Sequence, residues 1–306
     1  MVSARDWYLR FAELEARGQS AVYEEWAHLV AGSPQLLELI DALPRPKQQP
    51  NLIFAVSRLL GCPLDEFASW LPEHWDAVAE QALVRSTQTN EPRRCAAILP
   101  FLPAGPLALL EVGASAGLCL YPDRYSYRYN DGPVLGDSSV LLECAASGVP
   151  IPNELPEVVW RGGIDLNPLD VHDADDMLWL ETLIWPEQHE RRARIRAAVD
   201  IARAEPARLV RGDAVEALPA LVAEVPDAAT LVILHSGVLV YMPAAARQAF
   251  VDLVTELDVA WISNEGQGVV PGVQPVGTTP QQTFALAVDG VLRAFTGPHG
   301  QSVQGA

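Results

Sequence analysis

The chain reads as an α/β protein: a sheet of parallel strands, closed by an antiparallel hairpin and preceded by an all-helical N-terminal cap. Three observations predict this. From residue 107 to residue 263, short apolar runs alternate with helical patterns, as parallel strands joined by right-handed crossovers require. Thr283–Val288 and Val291–Thr296 flank Asp289-Gly290, the strongest short hairpin signal. No run of strand character precedes residue 106.

In the cap, Tyr8, Phe11 and Leu14, then Val22, Trp26 and Leu29, then Leu36, Leu37 and Ile40 recur at helical spacing, with Ser33-Pro34 as a start signal. A further helix runs from Gln49-Pro50 to Leu60, where Gly61-Cys62-Pro63 ends it, and another covers Trp75 to Leu83. Pro103 to Pro106 reads as a linker, which divides the chain into a cap or lid at 1–105 and a sheet domain at 106–306. The strands fall at 107–112, 158–165, 207–210, 230–235 and 258–263, and helices at Asp176–Ala204, Ala214–Glu224 and Ala244–Leu257. Residues 121–157 interrupt the scheme. Tyr121, Tyr125, Tyr127 and Tyr129 alternate there through an Arg-rich stretch, read as an inserted loop or small hairpin beside the first turn. The four rings serve either as a packed edge ribbon or as the lining of a substrate pocket.

The formal charge of −18 repels polyphosphate and anionic membrane surfaces, so neither nucleic acid nor membrane is expected as a partner. The one concentration of Arg, at 191, 192, 194, 196 and 203, is interleaved with Glu187, Glu190, Asp200 and Glu205 and reads as a solvated helix face. Cys62, Cys95, Cys119 and Cys144 form no Cys-x-x-Cys and suit a reducing compartment. The opening residues lack the basic start and apolar core of a signal peptide, and the apolar run Leu231 to Met242 is too short to span a bilayer. A soluble cytoplasmic protein is the expectation.

The chemistry concentrates where strands end. Leu107-Ala-Leu-Leu-Glu111-Val-Gly113-Ala-Ser115-Ala-Gly117 is an apolar strand that runs into an acid and then a small-residue turn, where backbone can approach a ligand closely. Gly113-x-Ser115-x-Gly117 alone also matches the nucleophile elbow of serine hydrolases. Next comes Arg161-Gly-Gly-Ile-Asp165-Leu-Asn-Pro168, with an acid at the carboxyl end of a second strand; such a carboxylate can hold the two hydroxyls of a ribose or cap a turn. The third segment is Arg211-Gly-Asp213-Ala214, again a strand ending in an acid before a helix. The fourth strand ends in His235-Ser236-Gly237, and the fifth in Asn264-Glu265. His235 and Glu265 are therefore candidate general bases, with a structural imidazole as the alternative at His235.

In this order, the glycine turn and the two acids on successive strands resemble the core of class I S-adenosylmethionine-dependent methyltransferases, over residues 106–296. The whole chain also resembles an uncharacterised bacterial family with a helical N-terminal region, through Gln49-Pro50-Asn51, Thr87-Gln-Thr-Asn90-Glu91, the Gly-Ala-Ser-Ala-Gly turn and a late Pro298-His299-Gly300. The resemblance implies a Rossmann-like methyltransferase sheet binding S-adenosylmethionine. Gly113, Ser115 and Gly117, with Glu111 nearby, would take the methionine part, Asp165 the ribose, and Asp213 with Ala214 the adenine. A small molecule would accept the methyl group, with the cap and the tyrosine-rich insert closing over it. Ser115 stands where the family has a glycine, and Glu111 to Asp165 is a longer interval than usual.

Other classes fit less well. A methyltransferase-like protein that binds a nucleoside without turnover remains open. A hydrolase would use Ser115 with Asp258 or Asp289 and His299, yet no earlier strands or oxyanion segment precede the turn. A dinucleotide site lacks the third glycine of its fingerprint and has its acid too far on. His172, Asp173, Asp175 and Asp176 read as an acidic helix start rather than a metal site.

Overall fold

Serine hydroxyls start the first helices. Ser3, Ser20 and Ser33 each accept a hydrogen bond from the backbone N–H three residues on, which satisfies one orphan donor of α1 (Ala4–Phe11), α2 (Ala21–Gly32) and α3 (Pro34–Asp41). The computed structural model describes residues 3–257, 259–273 and 283–306. Along the chain follow α4 (Pro50–Leu59), α5 (Phe67–Glu73), α6 (Trp75–Val84) and α7 (Arg94–Ile98), then β1 (Pro106–Val112), β2 (Ser126–Tyr129), β3 (Leu141–Ser147) and β4 (Glu157–Asp165). After α8 (Ala174–Thr182) and α9 (His189–Ala204) come β5 (Arg208–Arg211), α10 (Ala214–Val222), β6 (Thr230–Ser236), α11 (Ala244–Glu256), β7 (Ala260–Gly266), β8 (Phe284–Val288), β9 (Val291–Thr296) and β10 (Ser302–Gly305).

The chain forms two compact units. One takes the residues up to Thr89 with Ala174–Ala193; the other takes Asn90–Asp173 and Arg194–Ala306. The sequence division was placed at 105/106, whereas these units part at Thr89/Asn90 and the first takes in Ala174–Ala193. The first unit is an aromatic-rich helical body around Tyr8, Phe11, Tyr23, Trp26, Phe54 and Phe67. Trp179 and Trp185 belong to it: the Trp179 indole donates to Ser86 O, and Trp185 meets Phe11 and Tyr23 at 5.8 and 5.6 Å while donating to Asn51. Helical periodicity marks such a segment as helical but is silent on what it packs against. The single helix expected over Asp176–Ala204 is two, separated by the stretch that holds Pro186, which cannot continue a helix.

The second unit is α/β, built on a mostly parallel sheet of ten strands among the described residues. Their order is β2-β3-β10-β9-β8-β7-β6-β1-β4-β5. β1 pairs in parallel with β4 and β6, β4 with β5, and β6 with β7. β7, β8 and β9 form an antiparallel meander, and the β8–β9 turn has Asp289 and Gly290 at φ 50° and 74°, the left-handed pair that a tight hairpin needs.

The insert differs from its expected form. β2 and β3 pair in parallel, and β3 continues in parallel onto β10, a strand the sequence patterns did not mark. The pair thus forms an edge of the sheet rather than a hairpin beside the first turn. All four tyrosine rings are buried, with hydroxyls spent on backbone carbonyls of Glu205, Leu118, Pro122 and Ala96, which is the packed-ribbon arrangement. The expected strand 258–263 starts at Asp258, which lies outside the described residues, as do residues 274–282 before the hairpin.

What positions the site is the place of β1. After β2 and β3 at the far edge, the chain lays β4 and β5 on one side of β1, then β6 and β7 on the other. Strand order reverses there, and the carboxyl ends of β1, β4 and β6 open a crevice of the kind that binds ligands in doubly wound sheets. Leu110, Val112, Ile164 and Ile233 fill one sheet face against Leu218, Leu221, Phe250 and Val254 of α10 and α11.

Candidate functional site

The turn after β1 is tightly wound. Gly113, Ser115 and Gly117 have φ of 73°, 52° and 72°, so three of five residues take the left-handed conformation that glycine tolerates best. The backbone holds them there. Gly113 and Ala114 donate to Ile164 O at 2.7 and 3.2 Å, Gly117 donates to Ala114 O at 2.6 Å, and Leu118 donates to Asn90 Oδ1 at 2.8 Å. The N–H of Ser115 reaches Asp165 Oδ2 at 2.8 Å. These donors are spent inside the protein, so the turn is not a phosphate cradle of the kind that presents free N–H groups. Gly113 is also closed over: a Cβ there would stand well inside van der Waals distance of Val238. The turn comes close to its own neighbours, and Ser115 is buried with an Oγ that has no hydrogen-bond partner among the described residues.

Asp165 joins the turn to the next strand end. Its Oδ1 accepts from Asn167 N at 2.7 Å, and with Oδ2 on Ser115 the carboxylate uses two of about four acceptor positions. The residue is half-buried, and Leu166 beside it is 73 % exposed, leaving a large apolar side chain at the mouth of the crevice. Asp165 pairs in register with Arg211, whose guanidinium donates to Leu166 O and Asn167 Oδ1. Two residues on, the exposed Asp213 caps α10 through Oδ1, which accepts from Val215 N at 2.9 Å and Glu216 N at 3.4 Å, and Ala214 is buried behind it. The acids predicted on successive strand ends are therefore neighbours in the sheet.

Glu111 lies deeper. It is 3 % exposed, on the central strand opposite Gly163 and Leu234, and its Oε2 has no hydrogen-bond partner among the described residues. Burial, then Cys119, holds its carboxyl well above the usual carboxylate range despite Arg94 nearby. Arg94 is itself 6 % exposed. Its Nη1 donates to Ser236 O at 2.7 Å and its Nε to Pro298 O at 3.0 Å. Glu91, fully buried, binds Arg194 at 3.0 Å, and its carbonyl accepts from the Cys119 thiol. A thiol–thiol hydrogen bond to Cys95, then burial, push the Cys119 thiol well above its ordinary value.

His235 and Glu265 meet each other. The His235 Nδ1–H donates to Glu265 Oε1 at 2.7 Å, and Nε2 accepts from the Trp261 indole at 3.0 Å. Because indole only donates, this fixes the imidazole proton on Nδ1. Glu265 also accepts from the N–H groups of Val238 and Leu239. Both side chains are fully buried, with the imidazole nitrogens and both carboxylate oxygens engaged. The pair holds the loop that lays Val238 over Gly113. Neither residue presents an atom to a ligand in this conformation.

Arg94 and Asn90 escaped sequence reasoning as site residues. The only signal was the polar cluster ending in Asn90-Glu91, read as part of a lid; the structure bonds Asn90 to Leu118 at the end of the glycine turn. Pro298-His299-Gly300 reaches the same place, since Gly300, at φ 73°, packs on the Arg93 backbone so closely that no Cβ would fit. Gln49 and Asn51 instead serve the helical unit, bonding Thr87 and Trp185. For the hydrolase arrangement, Asp289 caps the Trp261 N–H, and Asp258 lies outside the described residues. Asp175 pairs with Arg85 at 2.8 Å, and among the described residues no group of three or more His, Cys, Asp or Glu is placed to hold a metal ion. No described helix is long and apolar enough to cross a membrane. Two open clefts of about 380 and 420 Å³ lie elsewhere in the sheet unit, one at the amino ends of β1 and β4 and one beside Asp123, Asp137 and Glu205.

Compared with known proteins, residues 61–304 match the profile of one family, described as an uncharacterized protein conserved in bacteria (DUF2332). The chain matches no curated protein and no solved structure.

Proposed function

We propose that this chain, which belongs to the DUF2332 family of uncharacterized bacterial proteins, binds S-adenosylmethionine in the crevice above β1 and β4 and methylates a small molecule. The observation that carries the reading is the bond from Ser115 N to Asp165 Oδ2, which ties the left-handed glycine turn to the acid of the next strand at the point where strand order reverses. The donor set fits a nucleoside better than a nucleotide. All the turn's N–H groups except that of Ala116 are spent and the crevice edge carries Asp165 and Asp213, so it favours hydroxyls, an amino group and positive charge over phosphate.

The residues divide the work. Asp165, with two acceptor positions left, holds the ribose hydroxyls. Leu166 offers apolar surface to a flat base, and Asp213 and the Ala214 backbone face its amino edge. When bound, S-adenosylmethionine supplies a methyl group on a sulfonium: the new bond forms from the acceptor's lone pair, and the C–S pair returns to a neutral thioether sulfur. The protein's share is alignment and exclusion of water. His235 and Glu265 position Val238 against the turn rather than moving protons. Their burial also favours a second reading, nucleoside binding without turnover.

Calorimetry with S-adenosylhomocysteine tests the cofactor. The wild type binds, and Asp165→Ala weakens binding at least about tenfold, the worth of one charge-assisted hydrogen bond. An unresponsive wild type refutes the reading. Methyl transfer to an acceptor separates the first reading from the second.

A further inference from the structure

Arg94 is a buried cation with no counter-ion among the described residues. A guanidinium stays charged at any pH the protein meets, and burying it without a carboxylate costs several kcal/mol unless something offsets the loss of water. Among the described residues Arg94 has no ion pair within 4.0 Å, and outside them the sole acid is Asp258. The Glu111 carboxyl acts on Arg94 through space but makes no ion pair with it, and burial raises that carboxyl well above the usual carboxylate range. Of the five N–H donors, one on Nε and one on Nη1 go to carbonyls of Pro298 and Ser236; Nη2 makes no hydrogen bond to a described residue. That nitrogen lies 3.3 Å from where a Cβ on Gly237 would stand, at the carboxyl end of β6, and the guanidinium faces the half-buried Phe284 ring at 6.0 Å. A glycine at 237 keeps the approach open.

We propose that Arg94 binds a carboxylate of the methyl acceptor, which makes the acceptor a small carboxylic acid with an apolar portion against Phe284. The assignment to the acceptor rests on the cofactor reading above. Asp165 and Asp213 sit at the ends of β4 and β5, whereas Arg94 is held at the end of β6. That is three strand spacings from β5, about 14 Å, and on the far side of β1. Nη2 and the remaining Nη1 hydrogen offer the two parallel donors that a carboxylate takes.

Benzoate, with benzamide as its uncharged counterpart, is the probe. At constant ionic strength benzoate should raise the melting temperature of the wild type saturably, benzamide should not, and Arg94→Gln should abolish the effect. In the wild type the Arg94 Nε–H resonance, identified by its loss in Arg94→Lys, should move along the same saturation curve, so the test stands even if Arg94→Gln folds poorly. No benzoate effect on the wild type, an equal effect of benzamide, or an Arg94 resonance that stays still would overturn the site. Arg94→Gln should keep S-adenosylhomocysteine affinity within about threefold; a tenfold loss would give the carboxylate to the cofactor and overturn the acceptor assignment. Should the wild type bind benzoate through Arg94 but no S-adenosylhomocysteine, the carboxylate site stands and the cofactor reading falls.

Discussion

Replacing Glu111 by Gln should remove a pH dependence that this carboxyl imposes on folding. In the unfolded chain the group titrates near its usual 4.5; in the folded protein burial at the centre of the sheet holds it well above that. Between those two values the folded state keeps a proton that the unfolded chain has lost. The contribution to stability is therefore fully present below the unfolded value and drains away as pH rises toward the folded one. One proton taken up on folding corresponds to about 1.4 kcal/mol per pH unit, so the wild type should lose up to about that much per pH unit through this residue as pH climbs from the unfolded value toward the folded one. Glu111→Gln keeps the shape and cannot ionise. Its own cost, an amide among groups arranged for a carboxylic acid, is a constant offset. Urea unfolding of both proteins, followed by tryptophan fluorescence across that range, should show the variant gaining on the wild type as pH rises. Parallel curves would refute the claim that Glu111 is buried and protonated.

The remaining predictions concern the turn. Gly113→Ala should destabilise by about 2–5 kcal/mol, combining the left-handed backbone with overpacking against Val238, and Val238→Ala in the same chain should recover about 1–3 kcal/mol of it in a double-mutant cycle. Ser115→Ala should leave stability within about 1 kcal/mol and S-adenosylhomocysteine affinity unchanged, because the hydroxyl has no hydrogen-bond partner to lose. A fluorophosphonate should not label the folded wild type; labelling at Ser115 would revive the serine-hydrolase reading.

The alternation of strand and helix was legible because buried parallel strands are short apolar runs, and the Asp289-Gly290 turn was legible because two consecutive left-handed residues leave few choices. Asp165 and Asp213 could be singled out because the first closes β4 and the second lies just past β5, where position in sequence becomes position on an edge. Arg94 could not. It sits at the start of a helix in a stretch dominated by helical periodicity, and its significance comes from two carbonyls more than a hundred residues away. The unit boundary was missed for the same reason, since Trp179 and Trp185 look like any apolar helix positions until their indoles find Ser86 and Asn51. The roles of His235 and Glu265 turned on burial: a histidine and a glutamate at strand ends read as bases, and their mutual hydrogen bond spends the atoms a base would use.

The central claim is that Asp165 and the glycine turn form one nucleoside-binding edge. Calorimetry of the wild type and Asp165→Ala with S-adenosylhomocysteine, with melting curves showing that both are folded, tests it most directly. The account predicts binding by the wild type and at least a tenfold loss in the variant. Equal affinity in the two proteins, or no binding by the wild type, would contradict it.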